Sequence, residues 1–144
     1  MSSGAILIVD DDNDVRAALA ELLEEEGFAV EGAHNGREAL ARLRCGTVHP
    51  AVILLDLMMP GMDGWDFRSE QMRDPKLARV PVVIVSASGF SRESIRTQFH
   101  PAGYVEKPIE RAELLGVIRE LLGSGAPAQL DTTERTGKAK NDRA

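Results

Sequence analysis

Short, almost wholly apolar runs alternate with segments whose apolar residues recur at helical spacing from residue 5 to residue 122. Runs of that kind suit strands buried on both faces, and their alternation with helices points to βα units on a parallel sheet. Ala5-Ile6-Leu7-Ile8-Val9 reads as the first strand. After it Val15, Ala18, Leu19, Leu22 and Leu23 fall on one helical face, which Gly27 closes. A second strand is predicted over Phe28 to Gly32. Asn35 follows, with Glu38 three residues on, as the N-cap of a helix that buries Ala39, Leu40 and Leu43. The third strand, Ala51-Val52-Ile53-Leu54-Leu55, is the most apolar segment, so it belongs in the centre of the sheet, and it ends in Asp56.

Pro60, Gly61 and Gly64 mark a loop before a third helix over about Trp65 to Arg73. Pro81 precedes a fourth strand, Val82 to Val85, that runs into Ser86. A fourth helix, weak in periodicity, is placed near Ser91 to Phe99, and a short fifth strand around Tyr104-Val105 leads to Lys107-Pro108. Leu114, Leu115, Val117, Ile118, Leu121 and Leu122 form the stripe of a last helix ended by Gly123. Residues 124–144 lack apolar periodicity and are expected to be a disordered tail after a single domain over residues 4–123.

Composition narrows the chemistry. At 144 residues and 43% hydrophobic content the chain can bury one core. Its net charge is −6, and because the tail is slightly basic the predicted domain alone carries −7. That argues against a general grip on nucleic acid, which needs clustered Lys and Arg. The single cysteine, Cys45, permits no disulfide within the chain and no Cys-based zinc site. With no signal-like or membrane-length apolar run, a cytoplasmic location off the membrane is expected.

The carboxyl ends of parallel strands form the crevice where such sheets bind ligands. There the sequence gathers Asp10, Asp11 and Asp12 after the first strand, Asp56 after the third, Ser86 after the fourth and Lys107 after the fifth. Each alone reads as a helix cap or a solvated charge. Independent caps, however, have no reason to converge on one pocket. Crowded carboxylates repel, so they protonate, separate or take up a cation. Oxygen donors without His or Cys select Mg²⁺, with Mn²⁺ as a substitute. Asp10, Asp11 and Asp56 contribute three negative charges, and a divalent ion with Lys107 contributes three positive ones. A site so balanced can receive a phosphoryl group on a carboxylate nucleophile.

The pieces Ile6-Leu7-Ile8-Val9-Asp10-Asp11-Asp12, Leu54-Leu55-Asp56-Leu57-Met58-Met59-Pro60-Gly61-Met62-Asp63-Gly64, Pro81-Val82-Val83-Ile84-Val85-Ser86-Ala87 and Tyr104-Val105-Glu106-Lys107-Pro108 resemble the motifs of response-regulator receiver domains of bacterial two-component systems. The resemblance covers about residues 4 to 123 and implies an α/β, flavodoxin-like (βα)₅ three-layer sandwich with a parallel sheet in the order 2-1-3-4-5. Asp56 then matches the phosphoacceptor. Asp11 matches a direct Mg²⁺ ligand, Asp10 one acting mainly through water, and the backbone carbonyl of Met58 a further ligand. Ser86 and Lys107 match the groups that contact the phosphoryl oxygens, Tyr104 matches the switch aromatic, and a cis Lys107–Pro108 bond is implied. The resemblance further implies a switch phosphorylated by a histidine kinase or histidine phosphotransfer protein, not a turnover enzyme. Its output surface would be the fourth helix, fifth strand and last helix.

Some positions depart from the commonest pattern. Ser86 stands where Thr is frequent, and Phe99-His100-Pro101-Ala102-Gly103 lacks the usual Gly-Ala pair, which leaves the end of the fourth helix open. Met58 and Ser88 occupy positions that influence acyl-phosphate lifetime in the family. Asp12 and Asp14 read as helix N-terminal charges. Met59 and Met62 read as loop packing, Trp65 as a partly buried helix residue, and His34, His49 and His100 as unrelated to metal spacing.

Three other readings bear on the same residues. A haloacid-dehalogenase-type phosphatase needs a second acid two residues after its nucleophile, where this chain has Met58. A flavin carrier of the same fold would meet three aspartates where it needs a phosphate cradle. A phosphorylation-independent interaction module would retain the same residues. A DNA-binding output would need about 60 further residues with a basic recognition helix, so signalling is expected to pass through contact with another protein.

Overall fold

The computed structural model describes residues 4–59, 61–87 and 91–123. The predicted tail 124–144, Pro60 and Ser88 lie outside the described residues. Elements follow in the order β1 (Ala5–Val9), α1 (Asn13–Glu25), β2 (Val30–Ala33), α2 (Gly36–Cys45), β3 (Pro50–Asp56), α3 (Gly64–Arg73), α4 (Pro75–Ala78), β4 (Val82–Ala87), α5 (Arg92–Phe99), β5 (Gly103–Lys107) and α6 (Arg111–Gly123). The five strands are parallel in the order β2-β1-β3-β4-β5, so the sheet is the flavodoxin-like one expected, with β3 in its centre.

Period-two alternation divides the core. Leu7, Val9, Ile53, Leu55, Val82 and Ile84 face α2, α3, α4 and α5. Ile6, Ile8, Val52, Leu54, Val83, Val85 and Val105 face α1 and α6, where Leu19, Leu23, Leu114, Leu115 and Ile118 close the second layer.

The helix starts are fixed by side chains. Asp12 Oδ1 accepts from the amides of Asp14 and Val15, which makes Asp12 the N-cap of α1. Asn35 Oδ1 accepts from the Glu38 amide at the start of α2. The Glu38 carboxylate reaches back to the amide of His34, one residue before the cap, rather than to Asn35 itself.

Two boundaries differ from expectation. Phe28 is not in β2, because its amide still donates to the Leu23 carbonyl as the chain leaves α1, and the strand begins at Val30. The short α4 was not anticipated. Its four residues cannot show periodicity, although Asp74 capping Lys76 and Pro75 in the first turn are a legible start signal.

Candidate phosphoacceptor and cation site

Ladder register assembles the site. Val9 pairs with Leu55, so Asp10 and Asp56 leave neighbouring strands side by side. Asp56 pairs with Val85, which sets Ser86 one residue further along, and Ala87 pairs with Lys107. Donor oxygens of Asp10, Asp11 and Asp56 lie within 4.8 Å of one another. Lys107 Nζ stands 3.5 Å from Asp10 Oδ2 and 3.8 Å from Asp56 Oδ2, bridging the two buried acids.

The three carboxylates are not equivalent. Asp10 and Asp56 are only 2% and 6% exposed, whereas Asp11 faces solvent. Asp10 Oδ1 accepts from the Asp12 amide, and the Met58 amide donates to Asp56 Oδ1, so each buried acid keeps one oxygen tied to its own loop. Burial pushes the Asp56 carboxyl above the usual carboxylate range. Lys107 opposes that rise, and Asp10 and Asp11 add to it. The pocket therefore lacks positive charge in proportion to its acids. An all-oxygen donor set with a charge deficit fits a hard divalent cation.

Ser86 is fully buried, with its Oγ donating to the Ala87 carbonyl at 3.3 Å. The Tyr104 hydroxyl is buried and has no hydrogen-bond partner among the described residues. Lys107–Pro108 is cis. Met58 is 59% exposed at the rim, while Met59 is buried and Met62 packs against Gly36. Cys45 is a free, exposed thiol at the end of α2, and His34 lies away from the acidic pocket's donor set, with its Nδ1 2.6 Å from Glu38 Oε1.

Arg16 was not singled out from the sequence. Its Nη1 donates to the Asp10 carbonyl at 2.6 Å and its stem crosses the space left by Gly32, so it fastens the β1–α1 loop beneath the acids. The signal was an arginine one helical turn beyond the aspartate triplet. Arg92 was also missed. Its guanidinium carbon lies 4.9 Å from the centroid of the Tyr104 ring.

A five-stranded parallel sheet carrying these acids, a hydroxyl and a lysine at its carboxyl edge defines a receiver. The chain belongs to the response regulator receiver domain family, whose profile matches residues 6–119. It is 32% identical over 139 residues to the phosphate regulon transcriptional regulatory protein PhoB of Rhizobium meliloti, covering 96% of this chain and 60% of that protein. It is 38% identical over 120 residues to the transcriptional regulatory protein ResD of Bacillus subtilis, covering 81% and 47%. The chain thus spans about half the length of these relatives. Among solved structures, the signal receiver domain of a signal transduction histidine kinase from Syntrophus aciditrophicus matches with a TM-score of 0.76 at 29% identity, over 91% of this chain and 98% of that one. No helix among the described residues is long and apolar enough to cross a membrane.

Proposed function

We propose that residues 4–123 form one receiver unit that accepts a phosphoryl group on Asp56 in a Mg²⁺-dependent reaction and relays its state through protein contacts. The observation that carries this reading is the convergence of Asp10, Asp11 and Asp56 with Lys107 at salt-bridge distance from two of them. Asp10, Asp11, Asp56 and the backbone carbonyl of Met58 would hold the ion. When bound, Mg²⁺ supplies charge neutralisation for the carboxylates and for the incoming phosphoryl oxygens.

A carboxylate oxygen of Asp56 forms the new P–O bond as the P–N bond of a phosphohistidine donor breaks, and the departing imidazole takes up a proton. Lys107, already drawn between Asp10 and Asp56, offsets the added charge. Ser86 offers its hydroxyl once it leaves the weak 3.3 Å bond to the Ala87 carbonyl. Tyr104, one strand over and two residues earlier in register than Ser86, couples that shift to the face formed by α5, β5 and α6. The donor class is a histidine kinase or histidine phosphotransfer protein.

Incubation with acetyl phosphate and Mg²⁺ should place one phosphoryl group on the chain, read by intact mass. Asp56→Asn should abolish labelling while circular dichroism stays unchanged, and labelling that persists on another residue refutes the assignment. Asp11→Asn should weaken Mg²⁺ binding in calorimetric titration.

A further inference from the structure

The two ends of α5 are held by very different means. At its C-terminal end, Arg68 of α3 is buried and its guanidinium donates from Nε to the Phe99 carbonyl at 2.9 Å and from Nη2 to the His100 carbonyl at 3.0 Å. Nη1 donates to Gln71 Oε1 at 2.8 Å, and the fully buried Gln71 amide passes on to the carbonyls of Leu77 and Val80. Trp65 adds an indole hydrogen bond to Gln98 and a ring contact with Phe99 at 5.1 Å.

A helix C-terminus leaves carbonyls without partners and carries partial negative charge, and a planar guanidinium satisfies two of them at once. His100, in the left-handed conformation at φ 49°, ends the helix where the Gly-Ala pair is missing.

At the N-terminal end, among the described residues, Ser91 Oγ caps the Ser94 amide and Arg92 makes the side-chain contacts to neighbouring elements. Besides its contact with Tyr104, Arg92 reaches Glu113 of α6 at 3.8 Å, with the two side chains 65% and 38% exposed. Exposed pairs at that range are screened by salt and contribute little, whereas hydrogen bonds to a buried charge are strong and are costly to leave unmade. Between these ends only Ile95 and Phe99 of α5 are buried.

We propose that Arg68 is a positioning residue that anchors the C-terminal end of α5, so that loading of the acidic pocket displaces the N-terminal end of this helix, around Tyr104, and leaves its C-terminal end in place. The proposal rests on Asp56 as phosphoacceptor. It makes α5 a lever with a fixed pivot, and it assigns the contact surface that changes with phosphorylation to the turn carrying Arg92 rather than to the whole helix.

Two amides with equal hydrogen bonds report on the two ends. Ile95 donates to Ser91 and His100 donates to Arg96, both at 3.0 Å. Hydrogen exchange of the full chain is followed by NMR with and without Mg²⁺ and beryllium fluoride, a stand-in for the phosphoryl group whose bound form is counted by its fluorine resonance. In the unaltered protein, loading should change exchange at Ile95 by at least about fivefold and at His100 by less than about twofold. Emission of Trp65, the single tryptophan, should not move.

In Arg68→Met, loading should change exchange at His100 along with Ile95 and should shift Trp65 emission, and Arg68→Lys should restore part of the asymmetry. Arg92→Ala, on the exposed end, should raise exchange at Ile95 in the unloaded protein and spare His100, whether or not Arg68→Met folds. Equal changes at both amides of the unaltered protein, or an Arg68→Met variant with the unaltered pattern, would overturn the pivot. Absence of a bound fluorine resonance would instead sink the phosphoacceptor reading beneath it.

Discussion

Replacing Asp56 with Asn should make the chain more stable in the absence of divalent metal. The magnitude follows from the distances in the pocket. With donor oxygens of Asp10, Asp11 and Asp56 within 4.8 Å of one another, each pair repels by at least about 3.5 kcal/mol at an effective dielectric near 20. Lys107 at 3.8 Å returns about 4 kcal/mol to an ionised Asp56. Asp11 faces solvent, so its share is screened, and the net charge–charge opposition to ionising Asp56 runs from about −1 to 3 kcal/mol, to which the cost of burial, the largest contribution, is added. Asn keeps an acceptor for the Met58 amide, and Lys107 keeps Asp10 at 3.5 Å, so little else is lost.

Urea unfolding in EDTA near neutral pH should therefore show Asp56→Asn ahead by about 1–3 kcal/mol, or roughly 4–12 °C in Tm. The dependence on pH has a definite sign. The folded state holds the Asp56 proton to higher pH than the unfolded chain, whose carboxyl titrates near 3.8. This contribution is greatest at low pH and is lost as pH rises from about 3.8 through the raised folded value, a slope that Asp56→Asn should lack. Saturating Mg²⁺ should favour the unaltered chain and narrow the gap, since a ligand at 100 times its Kd adds about 2.7 kcal/mol. An Asn variant that is less stable in EDTA, or a gap indifferent to Mg²⁺, would refute the reasoning.

Three further outcomes follow. Gly64→Ala should cost about 1–3 kcal/mol in urea unfolding, because its Cβ would lie 2.7 Å from Leu57 Cα and 3.1 Å from the Asp56 carbonyl, both backbone atoms. Tyr104→Phe should raise stability by about 1 kcal/mol by removing a buried hydroxyl without a partner among the described residues; a loss of similar size would reveal one. Hydrogen bonds from Arg111 and Arg119 hold the Glu26 carboxyl below its ordinary 4.5. Its contribution is present above that value and lost as pH falls through the lowered one, so Glu26→Gln should flatten part of the acid limb, less so in high salt.

The elements that could be read from the sequence are those whose signal is local. β1, β3 and β4 are apolar runs because both faces of a central parallel strand are covered, and Asp12, Asn35 and Gly27 mark helix ends by their own side chains or conformation. β2 was misplaced because an edge strand with Glu31 and Gly32 exposed carries little apolar pattern. The acids and Lys107 were legible because strand ends in a parallel sheet converge whatever the loops do. What escaped are contacts between residues far apart in the chain. Arg68 with the end of α5, Arg92 over Tyr104, and Arg111 with Glu26 each join elements whose facing is set only by packing.

Gly32 shows how far from the acids the pocket extends. It lies in the outermost strand and has no side chain to contribute, yet an added methyl there would sit 3.2 Å from Arg16 Cδ, and Arg16 is what grips the Asp10 carbonyl. Even a one-carbon substitution in β2 would press on that grip from behind, so an edge position with no chemistry of its own becomes a remote adjustment for the spacing of the acids.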